Sequence, residues 1–211
     1  LSYRNNYWGP CTNDEKIRAA LDTYRVRYEV LDDPALTAAR LISEGKIIAW
    51  FQGRMEFGER ALGNRSIIAD PRDASMKDRI NRAVKFREGF RPFAPSIIEE
   101  HVHEYFEDAQ PSPFMEKVFM IRPEKRSVIG AVTHIDGTGR LQTLGCEQNP
   151  LYYRVIEEFK KITGIPLILN TSFNLKGEPI VTHPDHALRT FFTSGMDGLI
   201  MHNCLVIKTS Y

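Results

Sequence analysis

The sequence has 211 residues, 42 % hydrophobic and 26 % charged, with 28 Lys and Arg against 27 Asp and Glu for a formal net charge of +1. These values lie near the globular average and exclude a disordered, collagenous or coiled-coil chain. The balanced charge argues against a strongly basic nucleic-acid binder and leaves room for a local basic site. Cys11, Cys146 and Cys204 are too few and too scattered for a disulfide framework or a metal cluster, and they fit a reducing, cytoplasmic setting. No apolar run reaches the roughly 18 residues a membrane span requires. The opening Leu1-Ser2-Tyr3-Arg4-Asn5-Asn6-Tyr7 is polar and aromatic, unlike a signal peptide. The absence of an initiator Met leads us to expect a piece of something longer.

In chain order, Thr12-Asn13-Asp14-Glu15 has the Thr-x-x-Glu form of a capping box and predicts a helix through about Tyr24. Asp33-Pro34 reads as an N-cap followed by Pro at the first helical position, with Gly45 ending the helix after about Glu44. Lys46-Ile47-Ile48-Ala49-Trp50-Phe51 is a nearly continuous apolar run and predicts a buried strand. Ser66-Ile67-Ile68-Ala69 predicts a second, closed by Asp70-Pro71. Next come a helix over 75–83, a strand over 93–98, a helix over 99–106, a loop over 107–114 and a strand over 117–121. A helix over 152–162, a buried strand over 166–169 running into a polar turn, a helix over 184–193 and a strand pair at 198–201 and 204–208 complete the chain. The mixture lacks a strict βαβ rhythm and predicts an α/β (α+β) architecture, a mixed sheet flanked by helices. Residues 1–40 read as an N-terminal linker or helical segment, and residues 41–211 as the domain proper.

Chemistry concentrates in four runs. Gly53-Arg54-Met55-Glu56-Phe57-Gly58-Glu59-Arg60-Ala61-Leu62-Gly63-Asn64-Arg65-Ser66 follows the first buried strand, with Gly at five-residue spacing and Arg between. Gly lets backbone approach a ligand, and the guanidinium fork suits phosphate or carboxylate. A simpler reading pairs Glu56 with Arg60, four residues on. In Lys85-Phe86-Arg87-Glu88-Gly89-Phe90-Arg91-Pro92-Phe93-Ala94-Pro95-Ser96, cations interleave with aromatics. That pattern serves anion or single-strand binding; alternatively the cations are solvated and the Phe residues core. Thr133-His134-Ile135-Asp136-Gly137-Thr138-Gly139-Arg140 centres on a strong turn and needs nothing more than a hairpin with His134 and Arg140 near its ends. Leu169-Asn170-Thr171-Ser172-Phe173-Asn174-Leu175-Lys176-Gly177-Glu178 carries hydroxyls, amides and backbone N–H groups into a turn that suits a phosphate or carbonyl, or is simply an Asx/Ser turn.

Other chemistries lack their residues. There is no Gly-x-x-x-x-Gly-Lys-Ser/Thr loop and no Gly-x-Ser-x-Gly elbow. His101 and His103 are two apart on a predicted helix and make a poor chelate, so no metal is expected inside this chain. No Cys has a basic activator nearby in sequence.

Taken together and in order, the four runs resemble the carbamoyltransferase C-terminal domain of the kind acting on nodulation factors and antibiotics. The likeness extends from Tyr7-Trp8-Gly9-Pro10 to Val206-Ile207-Lys208. Cys11 stands where the family more often has Ser, and Glu59 where Pro is usual before Arg60. The resemblance implies a YrdC-like twisted mixed sheet with a basic cavity, which binds ATP and carbamoyl phosphate and makes carbamoyl-adenylate. It implies that Arg60, Lys85, Arg91 and Arg140 clamp the phosphates and the carbamoyl group. Ser172 and Asn174 would bind the nucleotide, with Arg87, Arg65 and His134 contributing. Mg²⁺ would arrive with ATP, held mainly by phosphates and water. A separate N-terminal domain of the actin-like ATPase superfamily, absent from this chain, would hold a metal and pass the carbamoyl group to a hydroxyl acceptor. The alternatives are a YrdC-like threonylcarbamoyl-adenylate synthase of tRNA modification, and a nucleotide-binding module inactive without its partner domain. Neither membrane nor nucleic acid is an expected partner.

Overall fold

A computed structural model describes residues 5–89 and 91–208; Phe90 of the second run and the first four residues lie outside them. Helix α1 (Asp14–Thr23) is followed by strand β1 (Glu29–Val30), α2 (Pro34–Ser43), β2 (Ile48–Phe51), β3 (Arg65–Ala69) and α3 (Ser75–Ile80). A single wide π-turn, Asn81–Lys85, extends α3. Then come β4 (Ala94–Ile98), the short α4 (Val102–Tyr105), β5 (Val118–Met120), β6 (Thr138–Arg140) and β7 (Gln142–Leu144). The chain closes with α5 (Pro150–Thr163), β8 (Leu167–Ser172), α6 (Pro184–Phe192), β9 (Gly198–Met201) and β10 (Cys204–Ile207).

Among the described residues the main sheet has the order β1-β10-β9-β2-β3-β8-β4-β7. Two neighbours, β2 with β9 and β4 with β7, are parallel; the rest are antiparallel. Strands β5 and β6 form a separate antiparallel pair. Helices α2 and α5 pack on each other, with α5 also against β4 and β8 and α2 against β2 and β3; α1 packs on α6, which covers β9. β2, β3, β4 and β9 are buried along their whole length. That is why they read as apolar runs without alternation. One hydrophobic cluster runs from Ile17 of α1 through Ile42, Trp50, Ile97, Phe159 and Leu169 to Val206.

This topology places the chemistry. β3 and β4 both run antiparallel to β8, with Ser66 opposite Ser172 and Ala94 opposite Asn170. β2 ends where β3 begins, Phe51 opposite Arg65, and Ser96 of β4 stands beside Gln142 of β7. The end of β2, the starts of β3, β4 and β7 and the end of β8 therefore share one edge. The loops carrying all four runs emerge there.

Several local expectations change in detail. α1 is capped by Asn13, whose Oδ1 accepts from the Lys16 amide at 3.0 Å; Thr12 is instead buried. The predicted helix over 75–83 ends at Ile80 and continues as the π-turn. The helix predicted over 99–106 is a 3-10 turn, Glu99–His101, followed by α4. The Asp136-Gly137 turn does not join two paired neighbours: β6 pairs with β5, so the hairpin expectation is corrected. β1 and β7 were not anticipated, being two and three residues long. Asp33 caps α2 as expected, accepting from the Leu36 amide at 3.1 Å, and also pairs with Arg154 of α5. Asp33→Ala is expected to lower stability by about 1 kcal/mol and the melting temperature by about 2–4 °C, read by thermal denaturation.

Candidate functional site

The loop between β2 and β3 is fixed from inside. Gly53, Gly58 and Gly63 have φ of +43°, +126° and +110°. Glu56 is buried, and its Oε1 accepts the amides of Leu62 (2.7 Å), Asn64 (2.8 Å) and Arg65 (3.3 Å). Burial holds its carboxyl above the usual carboxylate range. Glu56 therefore does not pair with Arg60; Arg60 meets Glu59 at 3.2 Å and remains part-exposed. Residues 6–10 strap the loop: Gly9 donates to the Met55 carbonyl, Met55 to that of Pro10, and the Tyr7 hydroxyl to that of Leu62, each at 2.9 Å.

Arg65 belongs to this internal framework. It is fully buried, with its guanidinium 3.7 Å from the Phe51 ring centroid. Nη1 donates to the carbonyls of Gln52 (2.5 Å) and Asn64 (3.0 Å), and Nη2 to that of Gly53 (3.3 Å). Burial brings its pKa down to about 10. With the side chain wholly buried and three of its five N–H groups on carbonyls, Arg65 is not open to a phosphate; its Nε has no partner among the described residues. The expectation that Arg65 binds nucleotide is corrected: it holds together the two ends of the loop that presents Arg60.

Lys85 is the pivot of the site. It ends the π-turn, and Phe86 follows in the left-handed region at φ +45°. The wide turn adds a residue to the helical turn and re-aims the side chain, a device common at functional sites. Lys85 is buried, and its Nζ donates to the Ser172 carbonyl (2.6 Å), the Asn174 Oδ1 (2.8 Å) and the Asn174 carbonyl (3.1 Å), with the Ser172 Oγ at 3.4 Å. Ser172 Oγ donates to Asn174 Oδ1 at 2.8 Å, and Asn174 Nδ2 to the Glu178 carbonyl at 2.7 Å. Burial, then the nearby Arg87, brings the Lys85 ammonium down to about 7.

Around this knot the cations converge. Arg87 is held by Asn81, its Nε donating to Oδ1 at 2.7 Å, and lies 5.0 Å from the Phe93 ring centroid. Its pKa is lowered by burial first, then by Arg91, with Arg140 contributing against the opposing Glu88. Arg140, at the end of β6, is lowered by burial and then by Arg60. Its Nε is buried without a partner among the described residues. Arg91 pairs with Glu88 at 3.4 Å and is exposed. His134 lies beside Arg140 with Nδ1 3.0 Å from Thr138 Oγ1; burial lowers its pKa, Asp136 opposes, and Arg140 and Lys77 add to the lowering. Lys85, Ser172 and Asn174 are thus in direct contact, while Arg60, Arg140, Arg87 and Arg91 are linked by mutual repulsion. Like charges gathered this closely suit a polyanion. A cavity of about 440 Å³ adjoins the group, lined by the cations Arg82, Arg87 and Lys176 and the acids Asp78 and Glu88, with Asn81, Phe86 and Gly89. A larger groove, about 1010 Å³ between the end of α1, α6 and β10, contains none of these residues.

A polar layer beneath the site was not anticipated. Asn170 Nδ2 donates to Ser96 Oγ (3.0 Å) and Gln142 Oε1 (3.1 Å); Ser96 Oγ donates to Gln142 Oε1 (2.5 Å) and receives from the Tyr152 hydroxyl (3.2 Å). Gln142 Nε2 donates to the Leu62 carbonyl at 3.0 Å. These side chains tie β4, β7, β8 and α5 to the Arg60 loop. Their only signal in sequence was polarity inside otherwise apolar strands. Among the described residues no three His, Cys, Asp or Glu side chains are grouped so that they could hold a metal ion. No helix of the described residues is long and apolar enough to cross a membrane.

Residues 39–208 match the family model described as carbamoyltransferase C-terminus. The chain is 50 % identical over 208 residues to the nodulation protein NolNO of Sinorhizobium fredii, covering 96 % of this chain and 31 % of that protein. It is 36 % identical over 159 residues to the 3'-hydroxymethylcephem-O-carbamoyltransferase of Streptomyces clavuligerus, covering 75 % of this chain and 30 % of that protein. It thus spans about a third of the length of these relatives. Among solved structures it resembles full-length HypF in its phosphate- and nucleotide-bound form, with TM-score 0.58 and 20 % identity over 88 % of this chain and 23 % of that one. It also resembles P. abyssi Sua5 complexed with L-threonine, with TM-score 0.54 and 20 % identity over 75 % of this chain and 44 % of that one. These likenesses agree with the expected YrdC-like mixed α/β fold.

Proposed function

The chain belongs to the carbamoyltransferase C-terminal family, and from that premise we propose that it is the adenylating part of an O-carbamoyltransferase. It binds ATP and carbamoyl phosphate and forms carbamoyl-adenylate. The observation that carries this reading is the Lys85–Ser172–Asn174 knot set among Arg60, Arg87, Arg91 and Arg140. The chemistry needs no protein nucleophile. Water releases phosphate from carbamoyl phosphate and leaves carbamate; a carbamate oxygen then bonds to the α-phosphorus of ATP as the bond to the β-phosphate oxygen breaks and pyrophosphate leaves. What the protein supplies is positioning and neutralisation of several phosphate charges.

In this reading Arg60, Arg140, Arg87 and Arg91 together neutralise the phosphates. Lys85 holds the end of β8 in place and adds its positive charge to the site, and Ser172 and Asn174 orient the nucleotide. His134 steadies the Arg140 turn through Thr138. Mg²⁺ comes bound to ATP. Transfer of the carbamoyl group to a hydroxyl acceptor belongs to an N-terminal domain of the longer protein.

The test is pyrophosphate release by the chain with ATP, Mg²⁺ and carbamoyl phosphate, with threonine plus bicarbonate as the competing substrate pair. Release that requires carbamoyl phosphate and falls at least about tenfold in Arg140→Gln supports the reading. Release that requires threonine overturns it in favour of threonylcarbamoyl-adenylate synthesis. ATP binding without release assigns completion of the site to the rest of the longer protein.

A further inference from the structure

The β5–β6 pair has a core side and a solvent side. Phe119 stands opposite Gly139, and a Cβ on Gly139 would lie 3.2 Å from Phe106 and 3.3 Å from Ile121, so that register position faces the core. Side chains alternate along a strand, so Val118 and Met120 of β5 share the other face with Thr138 and Arg140 of β6. Val118 is directly opposite Arg140, and Met120 opposite Thr138. Opposed side chains of this kind have Cβ atoms about 4.5–5.5 Å apart. Val118 is 54 % exposed and Met120 39 %. A branched aliphatic and a thioether thus lie open to solvent beside a cation of the site.

Two chemistries meet on this face: guanidinium for an anion, and a flat apolar strip with a polarisable sulfur. The strip is two side chains long, far below the roughly 800 Å² per partner that a stable protein interface uses. It matches the face of one heteroaromatic ring, which thioethers contact favourably. A nucleotide carries such a ring and a phosphate chain in one molecule. Building on the nucleotide reading above, we propose that Val118 and Met120 seat the base of the bound nucleoside triphosphate, with Arg140 taking its phosphates. These two residues, and not the phosphate clamp, then set the preference for a nucleotide over a bare polyphosphate.

The experiment compares ATP with inorganic tripolyphosphate, each with Mg²⁺, by titration calorimetry on the wild-type chain, the Val118→Ser/Met120→Ser double variant and Arg140→Gln. Both strip residues are exposed, so the double variant keeps its core. The expected result is an ATP affinity about tenfold weaker in the double variant, with tripolyphosphate affinity unchanged, while Arg140→Gln weakens both. Retained tripolyphosphate binding also reports that the double variant is folded. Photolabelling with 8-azido-ATP is expected to mark residues 118–120. Wild-type ATP affinity in the double variant, or label recovered on residues 86–89, overturns the base seat and leaves the nucleotide reading standing. A wild-type chain that takes up neither ATP nor tripolyphosphate overturns the nucleotide reading itself, and the base seat with it.

Discussion

Lys85→Met is expected to weaken ATP binding at least a hundredfold, the largest effect of any single clamp substitution. Met has similar length and no charge. The variant loses a cation next to Arg87 and leaves the Ser172 and Asn174 carbonyls without their donor, while Asn174 Oδ1 keeps only the Ser172 hydroxyl. One charge-assisted contact contributes about 1.5–3 kcal/mol, and about 2.7 kcal/mol is a factor of a hundred. Loss of the buried charge together with loosening of the β8 turn therefore reaches that range. Calorimetry with tripolyphosphate reads the charge contribution, and ATP reads both. An affinity within about threefold of wild type would remove Lys85 from the site.

The same residue gives the site a pH dependence with a defined sign. Free Lys85 loses its proton near about 7, and an adjacent phosphate raises that value. Binding therefore takes up a proton, and affinity for tripolyphosphate falls as pH rises through about 7. Folding alone runs the other way. The ordinary lysine value is 10.5 and the folded one about 7, so between them the unfolded chain holds more protons and stability of the free chain rises with pH. Lys85→Met is expected to flatten both dependences.

The second large effect is on folding. Gly63→Ala is expected to destabilise the chain by about 3–5 kcal/mol and to lower the melting temperature by about 10 °C or more. A Cβ there would lie 2.2 Å from Cδ1 and 2.5 Å from Cγ of Tyr152, at a φ of +110°. Neither partner can give way. Tyr152 is fully buried with its hydroxyl on Ser96, and the Gly63 backbone is pinned by Trp50 Nε1 on its carbonyl (2.9 Å) and Ser66 Oγ on its amide (3.1 Å). Gly164→Ala separates the causes. Gly164 has φ +78° with nothing within 4 Å of its Cβ position, so it carries the backbone penalty alone, about 1–2 kcal/mol. Equal losses at the two positions would show that the Tyr152 contact relaxes.

Much of the fold was legible because its signals are local. Asp33-Pro34 and Gly45 bracket α2, and unbroken apolar runs such as Ile48-Ala49-Trp50-Phe51 can only be strands covered on both sides. The misplaced boundaries have local competitors. Asn13 outcompetes Thr12 as a cap once Thr12 is buried, and α3 widens into a π-turn because Lys85 must reach β8. β1 and β7 carry too few residues to show a period.

The sequence by itself determined which residue types the chain offers: glycines able to adopt positive φ between β2 and β3, arginines in three of the four runs, hydroxyls and amides at the end of β8, and no metal-ligand spacing. It could not assign their tasks, because a guanidinium looks the same in a string of letters whether it faces solvent or core. Only the tertiary structure decided that Arg65, fully buried with its guanidinium against the Phe51 ring and on three carbonyls, is an internal brace, while Arg60, five residues earlier, stays part-exposed. It decided that Glu56 serves three amides and not Arg60. It also brought Val118 to the side of Arg140, across 22 positions of chain, through one strand register. For Arg65 and Val118 the physical reason is the same: burial and pairing partner are set by antiparallel registry between strands, which no local propensity encodes; for Glu56 it is burial inside its own loop, where three amides converge on one oxygen.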